Sequence, residues 1–410
     1  MRALLGVLFC ILSISPSTGH AHGPWAHIHV TGWAIENLSP GPVRDFFLSD
    51  PEIINAALFG SAFTDSGYAP LPGDPIRDAA RAYGEHTHWE PFVQDFIEWI
   101  IANDPPPWST LESKMRVAFL MGCASHGLQD EIFDSLFLQQ VEEHDQGSQD
   151  AADSATDGFL ALDGYIRFLP TPWIPTDTLL ELYSDLEAEV TAETIQKSVD
   201  LMFNAYINDA IGRAIIEGNG MTYVEELNWT KAYYLDVNIP GSLRSEIIPT
   251  GRYLEAIWKR LHGNFESGDT VTFAFPNSPR RLLSGAINSP DSWITFIYGI
   301  GVSDTTARTT LSKQRATGGI EHVLDGTQWG QLFTRLHRIK PLEALAPGGY
   351  YTVTLEPNAE LINGQLTKMP IPHEFQVECD TPNARLCPPI DLPAPTLDGW
   401  TDTEPPSLVE

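Results

Sequence analysis

MRVAFLMGCASHGLQDEIFDSLFLQQV (Met115–Val141) reads as one long helix, apolar on most of its turns, with an imidazole and two carboxylates near its middle. On such a helix His126, Asp130 and Asp134 stand four residues apart and form a single stripe. Phe119 and Cys123 extend that stripe upstream, so it faces inward. A histidine and two aspartates buried side by side cost on the order of several kcal/mol unless a cation balances them. An ordinary salt-bridged surface stripe would need lysine or arginine at neighbouring helical positions, and none is there. Metal binding is the reading that this stretch favours.

The surrounding sequence has two characters. Before Phe265, FVQDFIEWII, TLLELYSDLEAEV, TIQKSVDLMFNAYINDAIGRAI and YLEAIWKRL repeat apolar residues at helical spacing. After it, TVTFAF, WITFIYGIGV, QLFTRLHRI, YYTVTLEP and HEFQVEC are short β-rich stretches cut by Gly, Pro, Asn and Asp. This pattern predicts an all-helical domain over residues 22–264, a seam at GNFESG (Gly263–Gly268) and a β-sandwich over 265–379. Residues 380–410 are Pro-rich and acidic and are expected to form an extended tail.

The first 21 residues read as a signal peptide. Met1-Arg2 precedes the apolar run ALLGVLFCILSIS, which is too short for a membrane anchor. The small-residue rule places cleavage after Gly19-His20-Ala21, making His22 the mature N-terminus. The expected location is therefore outside the cell, periplasmic or at the cell surface, with no transmembrane segment. Cys379 and Cys387 bracket a short loop and could pair in an oxidising compartment, whereas Cys123 reads as a small core residue. The chain carries 24 basic and 54 acidic residues, and a formal charge of −30 argues against a nucleic-acid partner gripped by a basic patch.

Histidine is unevenly spent. Seven of the eleven histidines from His22 onward lie between His22 and His144, and none falls between His144 and His262. In HIHVTGWAIENL, His27 shares the apolar helix face with Val30, Ala34 and Leu38, while His29 is expected at the surface. A freed His22 would offer both an α-amine and an imidazole. FGSAFTDSGY places Asp65 in a turn behind an apolar run, and GEHTHWEPF offers His86 and His88, which converge only if that segment is extended. Asp153 and Asp157 stand at helical spacing in HDQGSQDAADSATDGF, a run that taken alone reads as a solvated acidic loop.

Taken in order, His27 with Ala34 and Glu36, FGSAFTDSGY around Asp65, HWEPF around His88 and VAFLMGCASHGLQD around His126 and Asp130 resemble the zinc-dependent phospholipase C/D family. Within it they are most similar to the catalytic domain of the glycosylphosphatidylinositol-specific phospholipases D. The resemblance is clear from Gly23 to Phe168 and weaker to Leu261. It implies an all-α phospholipase C/P1 nuclease-like fold and two or three zinc ions. The ligands it implies are His22, His27, Asp65, His88, His126 and Asp130, with Asp65 as general base. It implies hydrolysis of a phospholipid or glycolipid head-group linkage at a membrane surface. Asp134 stands where phospholipase D members carry histidine, and Asp153 and Asp157 resemble the acidic pair that follows. One position is therefore oxygen-rich and could take calcium or magnesium. The β-rich remainder, from LAPGGYYTVTLEP to HEFQVEC, resembles an immunoglobulin-like (Ig-like) module of secreted and surface proteins. Two other readings compete: a P1-type single-strand nuclease, and a non-catalytic, metal-stabilised binding or adhesion protein.

Overall fold

The computed structural model describes residues 22–377 apart from 167–169, 205–209, 276–292, 316–318, 330–332, 343–344 and 347–348. The signal peptide expected over 1–21, the tail over 380–410 and the Cys379–Cys387 pair lie outside the described residues.

Helices come first. They are α1 (Pro24–Glu36), α2 (Pro42–Leu48), α3 (Pro51–Phe63), α4 (Arg77–Thr87), α5 (Glu90–Asn103), α6 (Leu111–Ile132), α7 (Leu138–Asp145) and α8 (Gln149–Leu162). After them run α9 (Thr176–Leu182), α10 (Ala192–Met202), α11 (Ala210–Glu226), α12 (Asn228–Tyr233) and α13 (Ile247–Leu261). Local chemistry explains several starts. Proline occupies the first turn of α1, α2, α3 and α5, where its missing N–H costs no helical bond. The side chains of Thr110 and Ser148 accept from the backbone N–H groups of Ser113 and Ala151 and cap α6 and α8. The helix expected over Thr178–Val190 ends early, at Leu182.

α1 is the central helix. Every residue from Pro24 to Ile35 is buried, so it has no solvent face. His29, expected at the surface, is instead buried between Trp25 and Trp33. Facing positions were read correctly, but the outward face of α1 is covered by other helices. α3 and α6 pack at close range because glycine stands at both contact points. A Cβ on Gly60 would lie 2.4 Å from Phe119 O, and one on Gly122 would lie 2.1 Å from Ala57 O. Cys123 sits fully buried in the same core.

α6 does not run unbroken into α7. Residues Phe133–Phe137 form a π turn, which inserts an extra residue into the helical ladder. The phase of the His126–Asp130–Asp134 stripe is lost there.

Strands follow. β1 (Val271–Phe275), β2 (Ile294–Val302), β6 (Thr334–Pro341) and β5 (Gly326–Trp329) make one sheet in the order β1-β2-β6-β5. β4 (Ile320–Leu324), β3 (Thr309–Gln314), β7 (Tyr350–Leu355) and β8 (Ile371–Gln376) make the other, in the order β4-β3-β7-β8. All pairings are antiparallel. One apolar core lies between the sheets, with Phe296, Tyr298 and Ile300 from β2 and Leu311, Val353 and Phe375 from the second sheet. The protein is a helical part followed by a sheet part.

The two parts meet across a polar, buried seam. Glu90 at the start of α5 accepts from Arg260 Nη1 at 2.7 Å, Tyr253 Oη at 2.5 Å and the backbone N–H of Gly301 on β2 at 3.1 Å. On β6, Arg338 donates to the Ser135 carbonyl at 2.6 Å, and the fully buried Arg335 pairs with Glu131 of α6 at 2.7 Å.

Candidate metal centre

Three histidines from three segments turn their Nε2 atoms toward one carboxylate. His27 is carried by α1, His88 caps the C-terminus of α4, and His126 and Asp130 lie one turn apart on α6. Asp130 Oδ1 is 3.1 Å from His27 Nε2, while its Oδ2 is 3.2 Å from His126 Nε2 and 3.5 Å from His88 Nε2. Asp65, on the 3-10 turn Thr64–Tyr68 that ends α3, brings Oδ1 within 3.7 Å of His126 Nε2 and 3.8 Å of His88 Nε2. Among the described residues two donor groups result, His27–His126–Asp130 and Asp65–His88–His126, either of which could hold a metal ion.

The opposite ring nitrogens hold these imidazoles in place. His88 Nδ1 donates to the Gly84 carbonyl at 2.6 Å, and His126 Nδ1 donates to the Ser61 carbonyl at 2.6 Å. A carbonyl can only accept, so these tautomers carry the proton on Nδ1 and leave Nε2 as a lone-pair donor facing the cluster. His27 Nδ1 is 2.8 Å from Gln129 Oε1, and Gln129 Nε2 donates to Thr31 Oγ1 at 3.0 Å. Gln129 therefore presents its oxygen to His27. An imidazole fixed by its far nitrogen is the usual outer partner arrangement of a metal-bound histidine.

Charge is tightly balanced. Burial works against a charged His27, but Asp130 beside it outweighs burial and raises its pKa to about 9. Burial and the neighbouring His27 lower His126 to about 4. Asp130 is held well below the usual carboxylate range, because His126 and His27 overcome the effect of burial.

A second buried constellation adjoins the first. His22 Nε2 lies 3.1 Å from Glu246 Oε1 at the N-terminal end of α13, and the His22 ring centroid is 5.4 Å from that of His27. His22 Nδ1, Glu246 Oε2 and Asp153 Oδ1 are buried without hydrogen-bond partners among the described residues. Burial, then Asp134 and Asp130, raise Asp153 well above its ordinary value, and burial with the same two aspartates raises Glu246. Carboxylates crowded in this way are the signature of a place that lacks positive charge.

Not every expected donor converges. His86 and His88 fall at the end of a helix rather than in an extended segment, so they point roughly 200° apart around its axis. His86 turns away, toward Phe92 and Tyr183, and lines a cleft at the seam with Trp89, Phe333 and Thr334. Asp134 sits in the π turn, outside both donor groups, and takes two hydrogen bonds from Gln149 Nε2 at 3.0 and 3.1 Å. Asp153 and Asp157 lie on the buried face of α8, not in a solvated loop. Asp157 accepts from the backbone N–H groups of Ala26 at 2.9 Å and Trp25 at 3.3 Å, and so caps α1 from a distance.

Glu246 and Gln129 were not singled out from the sequence. Glu246 lies in a stretch without helical periodicity, far from the histidine-rich third. Gln129 had a visible signal, since it sits one helical turn after His126.

No family model matches the chain. Among curated proteins, the phosphatidylinositol-glycan-specific phospholipase D of Rattus norvegicus is 31% identical over 198 residues, 45% of this chain and 22% of that protein. The Bos taurus protein of the same name is 30% identical over 179 residues, 40% and 20% of the two chains. The Homo sapiens one is 29% identical over 184 residues, 41% and 21%. The chain thus spans about a fifth of the length of the curated relatives it matches. Among solved structures, the surface layer protein SbsC, domains 1-6, is 10% identical over 88% of this chain and 46% of that one. Its TM-score of 0.22 carries no argument about fold or function.

Proposed function

We propose that the chain is a secreted, zinc-dependent phosphodiesterase that hydrolyses phospholipid or glycosylphosphatidylinositol-type head-group linkages at a membrane surface. One observation carries the reading: the Nε2 atoms of His27, His88 and His126 all face Asp130, with their Nδ1 atoms engaged outside the cluster. The partial likeness to phospholipases D supplies the substrate class.

The donor set fits zinc. Bonds of about 2.0–2.1 Å in a tetrahedron separate neighbouring donors by roughly 3.3 Å. Six of the donor separations here run from 3.1 to 3.8 Å, and the donor atoms of each group all lie within 4.8 Å of one another. Imidazole nitrogen with carboxylate oxygen is also a donor mixture that zinc accepts readily. A more oxygen-rich place next to it, among Asp134, Asp153 and Glu246, suits a further cation, calcium or magnesium included. Asp157 belongs to that acidic group in the family pattern, with its capping role alongside.

When bound, such ions lower the pKa of a coordinated water and neutralise charge developing on a phosphodiester. The chain's own residues do the rest. Asp65, buried beside His88 and His126 on a short turn, is placed to accept the proton of the attacking water. His88 and His126 are oriented by Gly84 and Ser61 so that their lone pairs stay on the cluster. Ligation requires neutral imidazole, so His27 releases the proton that Asp130 otherwise holds on it.

Helices ahead of the sheets form the phospholipase C/P1 nuclease-like domain in this reading, with a signal peptide before it and an Ig-like module behind. A P1-type nuclease would share the donor set, but a formal charge of −30 repels a phosphate backbone. The decisive experiment measures metal content of the purified chain. It then assays phosphatidylinositol, phosphatidylcholine, a glycosylphosphatidylinositol-anchored protein and single-stranded DNA, each with and without chelator. Chelator-sensitive release from a lipid supports the proposal. A metal-loaded protein inert on every phosphodiester would instead make it a metal-stabilised binding protein.

A further inference from the structure

We infer that Arg335, supplied by the sheet part, is a positioning residue for the metal centre, so that the second domain completes the site rather than serving as a spacer. The inference rests on the metal reading above.

Arg335 lies near the start of β6 and is fully buried, an expensive place for a guanidinium. It makes two kinds of contact. Its Nη2 donates to the backbone carbonyl of His88 at 2.7 Å, and His88 ends α4, where terminal carbonyls lack helical partners. Its Nε donates to Glu131 Oε1 at 2.8 Å, and its backbone N–H donates to Glu131 Oε2 at 3.0 Å. Thr334 Oγ1 adds a third bond to Glu131 Oε2 at 2.9 Å. Glu131 follows Asp130 directly in α6. One guanidinium therefore ties the main chain of one cluster histidine to the residue beside the shared carboxylate.

Gly127 shows how closely these parts are fitted. It follows His126, and a Cβ there would lie 2.1 Å from His88 O and 2.7 Å from Arg335 Nη1 and Nη2. Any side chain at this position would push the His88 carbonyl and the guanidinium off α6. Stability alone accounts poorly for the arrangement, because a buried ion pair returns little net free energy over well-packed apolar residues. Fixing His88 relative to His126 and Asp130 gives the burial a purpose, since ligand position within fractions of an ångström sets metal affinity.

Arg338 provides the control. It stands three residues along the same strand and crosses the same seam, but donates to the Ser135 carbonyl instead. Full-length wild-type, R335Q, R335K, R338Q and G127A chains would be stripped of metal. Zinc affinity by chelator competition and the unfolding midpoint of each metal-free protein would then be measured. R335Q and G127A are expected to weaken zinc by about 10–100-fold, with R335K recovering part of the loss. R338Q is expected to lower the midpoint while keeping wild-type zinc affinity. If R335Q does not fold, R335K and G127A carry the comparison. Equal zinc affinity in wild type and the folded Arg335 and Gly127 variants would overturn the positioning role alone. So would an equal loss in R335Q and R338Q. A wild-type chain that binds no zinc would sink the metal reading and this inference together.

Discussion

Asp130 Oδ1 lies 3.1 Å from His27 Nε2, joining α6 to the central helix α1 through one carboxylate. Its other oxygen lies 3.2 Å from Nε2 of His126, the residue common to both donor groups, and 3.5 Å from Nε2 of His88. Contact with all three histidines makes Asp130 the residue whose loss should cost most.

Asp130→Asn keeps the size of the side chain and removes its charge. The expected outcome is loss of about one or more bound ions per chain by elemental analysis, with helical circular dichroism retained. Full metal content in the variant would show that the two donor groups do not depend on this carboxylate.

Gln129→Leu should leave the fold intact but release His27 Nδ1 from its acceptor. A drop in metal affinity of about 10–100-fold is expected, the usual effect of losing an outer partner. Isothermal titration with zinc measures it. An unchanged affinity would mean that packing alone holds the His27 ring.

Asp157 can be a cap, a ligand or both, and two substitutions separate the roles. Asn caps nearly as well as Asp, so Asp157→Asn should stay within about 0.5 kcal/mol of wild type in metal-free protein, whereas Asp157→Ala should lose about 1–2 kcal/mol. Denaturant unfolding reads the difference. A fall in metal content in the Asn variant, with stability kept, would assign Asp157 to the cation as well as to α1.

Acid should destabilise the sheet part through His337. Burial lowers this imidazole to about 4, whereas in the unfolded chain it titrates near 6.5. Between those values the unfolded chain binds the extra proton, so stability is full above about pH 6.5 and is lost as pH falls toward 4. The loss attributable to His337 approaches about 3 kcal/mol at pH 4. His337→Gln should therefore unfold less steeply with acid than wild type, measured by denaturant midpoints at pH 7 and 4.5. Parallel pH profiles would exclude His337. His29, lowered by burial to about 4, acts in the same direction in the helical part.

Much of the site was readable because its chemistry is local. His126 and Asp130 stand one turn apart, and any helix places such a pair on one face. Asp65 was legible from a turn behind an apolar run, and His27 from the apolar face it shares with Val30 and Ala34. Asp134 lies outside both donor groups, in the π turn Phe133–Phe137 where the helical period that the reading assumed no longer holds. His86 failed for the opposite reason: the segment stays helical to Thr87, where convergence of both histidines needed a strand. Strands β3, β4 and β5 went unread, because TTLSKQ, IEHVL and GTQW are too short and too polar to stand out from loops.

Sequence by itself determined the helix-then-sheet order and the concentration of imidazole in the first third, since periodicity and composition are properties of neighbouring residues. Tertiary structure decided which donors share a centre, that Glu246 meets His22, and that Arg335 reaches His88 across 247 positions of chain. Such contacts depend on how buried faces stack and on which polar groups must find partners once water is excluded. No local pattern encodes them.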